Sequence, residues 1–278
     1  MEQRLAGLVV GVSCALSVSA AGQNERLSGE LPCRWSEAVL SFEEQAGRVA
    51  YFIKRVASSS QGKLLVVAHD GGDSVFLHDA FLRDIAASAL SPDGAWVAYT
   101  LLFDALPKTT RLFLRPTDGR AGHFVDPALV NGRAVEDFAF SSDAQLLVWR
   151  SDQESDDVFE LFAAPLGGST PTRKLSGALV AGGDVASFRL SPDGRWVVYL
   201  ADQEADEVLD LHGVPIDGSA PAVRLNTSRP LADVQADYRI SPDSVGVAYR
   251  ADPDADEVHE LFVTRVDGGM SPLERSGA

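Results

Sequence analysis

The stretch SPDGRWVVY at residues 191–199 decides the fold, because versions of it recur at a fixed interval along the chain. The opening tetrapeptide stands at residues 91–94, 141–144, 191–194 and 241–244 as SPDG, SSDA, SPDG and SPDS, fifty residues apart each time. A short run of aromatic and β-branched residues follows every copy. Upstream, GRVAY at residues 47–51 matches AWVAY at residues 95–99 without the preceding turn. A period of this length indicates a repeat architecture.

Each repeat has the pattern of four short strands. Ser, Pro, Asp and Gly in that order suit the successive positions of a type I turn, in which proline presets φ at the second position. In the third of these copies, the turn joins a strand at residues 187–190 to one at residues 196–201. A third strand is expected at residues 208–216, where the hairpin pair Asp217-Gly218 leads into a fourth strand that ends near Leu225.

Four antiparallel strands in about fifty residues, repeated five times, are typical of propeller blades. The sequence therefore predicts an all-β chain that forms a β-propeller of about five four-stranded antiparallel blades, without helices. The propeller is expected to span residues 36–278 after an amino-terminal segment at residues 22–35. Its blades are predicted at residues 36–83, 84–133, 134–183, 184–233 and 234–276.

The stretch SPDGRWVVYLADQEADEV at residues 191–208 resembles the WD40-like (PD40) repeat of TolB-type propellers, and the match extends over residues 84–276. The resemblance implies a fold that is common among exported bacterial proteins. It implies two functional classes, because the repeat occurs in TolB, a scaffold for protein contacts in the cell envelope, and in the propellers of prolyl-oligopeptidase-like peptidases. TolB-type proteins have six blades and a further amino-terminal domain. Five blades therefore leave open both a closed ring and a truncated copy of a longer array.

The amino terminus has the pattern of an export signal. Arg4 precedes an apolar run at residues 5–18, and small residues at 19–21 suit a signal peptidase, so residues 1–21 are predicted to be a secretory signal peptide. The apolar run is shorter than the ~20 residues that span a bilayer as a helix. We expect a soluble, periplasmic or secreted monomer without a membrane span. Cleavage would leave Cys33 as the single cysteine, which excludes an intramolecular disulfide.

The net charge of −16 is concentrated in the second half of the chain, where residues 134–278 carry 26 acidic and 11 basic side chains. Phosphate backbones and anionic lipids are bound by clustered lysine and arginine. The sequence therefore predicts that nucleic acid is not a partner.

The acidic segment between the second and third strands is the most pronounced polar feature. Acids recur there at equal register in three repeats, namely Asp152, Asp202 and Asp252, then Asp156, Asp206 and Asp256, then Glu160, Asp210 and Glu260. The last copy, DPDAD at residues 252–256, has the alternating carboxylates that calcium prefers, but it lacks a glycine for the sharp turn. Because the acids recur, we interpret them as a solvated hairpin loop that limits aggregation. Calcium binding in these loops is the alternative, and no other cofactor or metal is expected.

The sequence assigns no catalytic residue. The Ser and Asp side chains of the repeated turns are expected to be used in turn hydrogen bonds, and no G-x-S-x-G, H-E-x-x-H or C-x-x-C motif is present. The five histidines are scattered without metal-ligand spacing: His69, His78, His123, His212 and His259. A glycosidase would need unrepeated acids at the channel mouth. Asp84 and Asp184 instead share one register, and Asp137 and Asp237 share another.

The first two repeats depart from the acidic trend, and a partner surface is expected there. The residues that break the trend are Lys54, Arg55, His69, His78, Arg111 and Arg115. The sequence as a whole favours a non-catalytic exported scaffold that binds a protein or peptide. The alternatives are a glycan- or peptide-directed hydrolase that uses channel carboxylates, and a fragment of a larger propeller protein.

Overall fold

The computed structural model describes residues 17–20, 23–26, 37–55, 61–68, 75–81, 83–103, 108–126, 132–168, 171–227, 233–252 and 259–275. Within these ranges the chain is all-β and no residue is helical. Five four-stranded antiparallel sheets form, each from four strands that are consecutive in the chain. The predicted fold class, a β-propeller of five four-stranded antiparallel blades, is confirmed.

The amino-terminal region contributes one hairpin. Strand β1 (Ser17–Ala20) pairs antiparallel with β2 (Gln23–Arg26). The rest of the predicted signal peptide, and Cys33 in the segment that follows it, lie outside the described residues. In the part of the chain that is described, no helix is long and apolar enough to cross a membrane.

Two sheets belong to the unit Met1–Gly132. The first comprises β3 (Glu37–Gln45), β4 (Arg48–Arg55), β5 (Gln61–Ala68) and β6 (Val75–Phe81). The second comprises β7 (Arg83–Leu90), β8 (Trp96–Phe103), β9 (Thr109–Pro116) and β10 (His123–Phe124). Leu64, Val66 and Leu77 of the first sheet pack with Val97 and Tyr99 of the second in one buried cluster.

Three sheets belong to the unit Arg133–Ala278. The third comprises β11 (Val135–Phe140), β12 (Leu146–Ser155), β13 (Val158–Pro165) and β14 (Arg173–Lys174). The fourth comprises β15 (Val185–Leu190), β16 (Trp196–Ala201), β17 (Asp210–Pro215) and β18 (Val223–Arg224). The fifth comprises β19 (Arg239–Ile240), β20 (Gly246–Ala251), β21 (Glu260–Arg265) and β22 (Leu273–Glu274).

Neighbouring sheets of this second unit pack face to face through their apolar side chains. Val148 and Leu161 of the third sheet share a buried cluster with Val197 and Tyr199 of the fourth. A second buried cluster joins the fourth sheet to the fifth, and within it the Tyr238 hydroxyl donates to the Val198 carbonyl at 3.1 Å. Because both faces of the middle sheet are covered, β16 is buried over almost its whole length, as the continuous apolar run of its sequence predicts.

The repeated turn explains why the motif is so regular. In the copy at 91–94, the Gly94 amide donates to the Ser91 carbonyl at 2.8 Å, and the Ser91 hydroxyl accepts from the Trp96 amide at 2.9 Å. The Asp93 carboxylate accepts from the Ala95 amide at 3.0 Å. The serine and aspartate side chains therefore close the turn, which is the structural use that the sequence predicts for them.

Candidate functional site

The first acid of each acidic segment is buried. Asp152, Asp202 and Asp252 are 2%, 7% and 9% exposed. Each carboxylate accepts a hydrogen bond from a backbone amide that precedes the first strand of its own sheet, by one residue for Ala134 and Asp184 and by six residues for Asp233. Asp152 accepts from Ala134 at 2.6 Å, Asp252 accepts from Asp233 at 2.9 Å, and Asp202 accepts from Asp184. These aspartates therefore tie the end of the second strand in each of the three sheets to the segment that precedes the first strand.

A second set of aspartates links one sheet to the next. The Asp184 carboxylate accepts from the Phe159 amide of the third sheet at 2.6 Å. The Asp233 carboxylate accepts from the Leu209 amide of the fourth sheet at 2.9 Å. The backbone amides of Asp184 and Asp233 in turn donate to the carboxylates of Asp202 and Asp252. Two aspartates are therefore linked by hydrogen bonds at each junction between neighbouring sheets of this unit.

These contacts correct the interpretation of the acids as a solvated loop. That interpretation fits Asp156 and Asp206, which are exposed, and it is wrong for the first acid of each segment. Asp256 and most of the DPDAD segment lie outside the described residues. Among the residues that are described, no group of three or more His, Cys, Asp or Glu side chains could hold a metal ion.

The third acid of the segment lies at the start of the third strand and is also engaged. Glu160 is 5% exposed and pairs with Lys174. Asp210 is 6% exposed and accepts from the Asn226 side-chain amide at 2.7 Å. Glu260, at the same register, is half-buried.

The acids that could have formed a catalytic pair also have architectural partners. The Arg150 Nε donates to Asp137 at 3.0 Å, and the Arg250 Nε donates to Asp237 at 3.0 Å. The two ion pairs stand at equal register in the third and fifth sheets. The side chain of Asp84 lies outside the described residues.

The three histidines whose side chains are described, His123, His212 and His259, belong to no metal-binding cluster. His212 is buried against Tyr199, with ring centroids 5.1 Å apart, and its Nε2 lies 3.0 Å from the Gln203 amide. Burial lowers the pKa of His212 and of the half-buried His123. His259 is half-buried. His69 and the side chain of His78 lie outside the described residues.

Two arginines of the partner surface predicted in the first two repeats are described, and both make contacts within the fold. Arg111 pairs with the buried Asp126 at 2.8 Å and lies 3.7 Å above the Phe124 ring. Arg115 donates to the carbonyls of Leu77 and Gly119. The side chains of Lys54 and Arg55 lie outside the described residues.

The open cleft of interest lies between β15 and β19, the first strands of the fourth and fifth sheets. Its volume is about 410 Å³, and it is lined by Phe188, Arg189, Leu190, Pro192, Arg239 and Ile240. Both arginines are exposed. Two cations at one cleft are unusual in a unit where acids outnumber bases by more than two to one.

Both guanidinium groups are positioned by groups other than carboxylates. The Arg189 guanidinium lies 5.2 Å from the centroid of the Tyr238 ring. Arg239 Nη1 donates to the carbonyls of Asp237 and Tyr238 at 3.2 and 3.1 Å. Burial raises the pKa of Tyr238 to about 12, so the ring beneath Arg189 stays neutral at physiological pH.

Sequence reasoning missed this pair because it searched for cations only where they broke the acidic trend. Alignment of the repeats at fifty-residue spacing places Ala89, Ala139, Arg189 and Arg239 at one register. The change from alanine to arginine at that register is the signal that could have identified the cleft.

The chain matches no protein-family model, and no curated protein matches it. Solved structures are similar in fold. The β-propeller domain of the Trilobed protease from Pyrococcus furiosus is 9% identical with a TM-score of 0.53, over 84% of this chain and 70% of that one. An oligogalacturonate lyase in complex with manganese is 14% identical with a TM-score of 0.56, over 87% and 68%. A putative TolB from Agrobacterium tumefaciens is 17% identical with a TM-score of 0.49, over 86% and 80%.

At these identities, the similarity shows the β-propeller fold alone. The propeller fold that the repeat predicts is therefore shown, and membership of the TolB-type PD40 repeat family stays a prediction.

Proposed function

We propose that this chain is a non-catalytic β-propeller that binds a protein or peptide after export to the periplasm or the cell exterior. One observation carries the proposal. Recurring acids among the described residues are engaged in backbone hydrogen bonds and ion pairs that serve the scaffold, as with Asp202 and Asp237. The exposed arginines at the β15–β19 cleft are instead left facing solvent. Function depends on particular residues that a fold carries and not on the fold itself, so we look for the binding site where the repeats differ.

A peptide-display selection followed by calorimetry tests the binding function. A random peptide library is selected on the purified chain, and the selected peptides are synthesised and titrated into it. We expect saturable binding with one peptide per chain. The same peptides should not bind the chain after thermal unfolding, which is the matched control for non-specific adsorption.

A substrate panel tests the opposing class. Chromogenic glycosides and fluorogenic peptides are incubated with the same preparation, and product is followed over hours. We expect no turnover above that of the unfolded chain. Turnover that survives further purification, or a selection that yields no saturable peptide, would refute the proposal.

Export can be tested separately. We expect the protein in the periplasmic or external fraction, with an amino terminus at residue 22. Recovery of full-length chain in the cytoplasm would refute this part of the proposal.

A further inference from the structure

We propose that the β15–β19 cleft is a carboxylate-binding subsite, in which Arg189 and Arg239 hold one carboxylate of a bound peptide beside an apolar side chain of that peptide. This rests on the proposed function, since it names the chemistry that a peptide ligand must offer.

Arg189 and Arg239 form no ion pair with a carboxylate of the described residues, as is also true of Arg173, Arg195 and Arg275, but they are set apart because both line one cleft. The cations of this unit that pair with carboxylates are Arg133, Arg150, Lys174, Arg224, Arg250 and Arg265. A guanidinium has five donors in a planar fork. Arg239 uses one terminal nitrogen on backbone carbonyls, and Arg189 rests on a ring face, so donors of both forks stay available to a ligand.

The fold does not require arginine at this register. The second and third sheets carry Ala89 and Ala139 at the equivalent positions and form the same strands. Arg189 and Arg239 place two positive charges at one cleft, and like charges repel. A bound carboxylate would relieve that repulsion and accept from both forks, since guanidinium groups bind carboxylates with paired, charge-assisted hydrogen bonds.

The walls of the cleft define the rest of the ligand. Phe188, Leu190 and Ile240 are half-buried, and Pro192 is exposed. An apolar side chain next to the carboxylate would cover these groups. The net charge of −16 opposes the approach of polyanions, so the site suits a ligand with a single local charge. The volume of about 410 Å³ lies within the range of roughly 300–1,000 Å³ that is usual for small-ligand sites.

Isothermal calorimetry with three synthetic peptides tests the proposal on the full chain. The first is acetyl-Gly-Leu-Glu-Phe-Gly-amide, and the second carries Gln in place of its Glu. The third carries Gln and ends in a free carboxylate, which separates a side-chain source from a chain terminus. We expect the Glu or the free-acid peptide to bind roughly tenfold or more tightly than the neutral one. The preference should shrink at about 0.5 M salt.

Variants tie the preference to the cleft. Arg239→Gln should reduce the carboxylate preference by roughly tenfold, and Arg239→Lys should restore part of it, because lysine keeps the charge and loses the fork. Arg265→Gln is the matched control, since it removes the same charge from an exposed position on β21 and should leave the preference unchanged.

Three results would overturn the proposal. They are equal binding of neutral and carboxylate peptides, an unchanged preference in Arg239→Gln, and no detectable binding of any carboxylate peptide at millimolar concentration. If library-selected peptides still bind in these cases, peptide binding stands and only the assignment of the subsite fails. A melt of Arg239→Gln checks folding, and Arg239→Lys carries the test if the glutamine variant is unfolded.

Discussion

Replacing Asp202 with alanine should destabilise the fold markedly, although Asp202 lies in a segment whose sequence resembles a solvent loop. The carboxylate is 7% exposed and accepts from two backbone amides, those of Asp184 and Glu207. A hydrogen bond to a charged group contributes about 1.5–3 kcal/mol. The hydrogen bond from the Glu207 amide is long, at 3.2 Å, and Glu207 is exposed, so this bond should contribute less than the bond from Asp184. We therefore expect a loss of about 2–4 kcal/mol, or about 4–8 °C in melting temperature for a chain of this size.

Asp206→Ala is the matched control, because Asp206 lies in the same segment and is exposed. Surface substitutions of this kind usually change the free energy of unfolding by no more than about 0.5 kcal/mol. Both variants are melted by circular dichroism at pH 7 beside the wild type. A melting temperature of Asp202→Ala equal to that of the wild type, or equal losses in the two variants, would refute the reasoning.

Four further outcomes follow from the same geometry. Ala144 has φ of +54°, so Ala144→Gly should raise the free energy of unfolding by about 1 kcal/mol in a denaturant titration. Ser244→Gly should gain less, because the Ser244 hydroxyl also accepts from the Asp193 amide at 2.9 Å, and an equal gain would contradict this. Burial lowers the pKa of His212, so stability that is complete above the unfolded pKa of about 6.5 is lost as pH falls through the folded value. His212→Phe should therefore lose less melting temperature than the wild type between about pH 7.5 and 5.5, and identical pH profiles would argue against it. Calcium and a chelator should give melting temperatures within ~1 °C of each other, because the first acid of the described loops is already bound by backbone amides, and a calcium-dependent rise would revive the calcium alternative.

The fold could be predicted from the sequence because its information is local and repeated. The turn at 191–194 fixes two strand ends by its own hydrogen bonds, and the apolar runs fix which strands are covered. Boundaries set by tertiary contacts were less accurate. The third strand was expected at residues 208–216 and is observed at Asp210–Pro215, because the Leu209 amide is bound by Asp233 of the next sheet instead of a strand neighbour.

The site was less predictable, because burial of a carboxylate depends on distant groups. Asp202 and Asp206 are both aspartates and lie four positions apart. Asp202 has a role in the fold because the Asp184 amide, eighteen residues away in the chain, donates a hydrogen bond to its carboxylate. Arg189 and Arg239 come to one cleft because residues of both β15 and β19 line it. The change from alanine to arginine marks these two positions in the sequence, whereas their place at one cleft follows from the packing of the fourth sheet against the fifth.

The central claim is that the recurring acids hold the blades while the two arginines bind the ligand. Hydrogen–deuterium exchange of the full chain, with and without acetyl-Gly-Leu-Glu-Phe-Gly-amide, tests it most directly. The account predicts that the peptide slows exchange at residues 186–192 and 237–241 and leaves the acidic segments at 152–157 and 202–207 unchanged. Protection of the acidic segments, with none at β15 and β19, would contradict it.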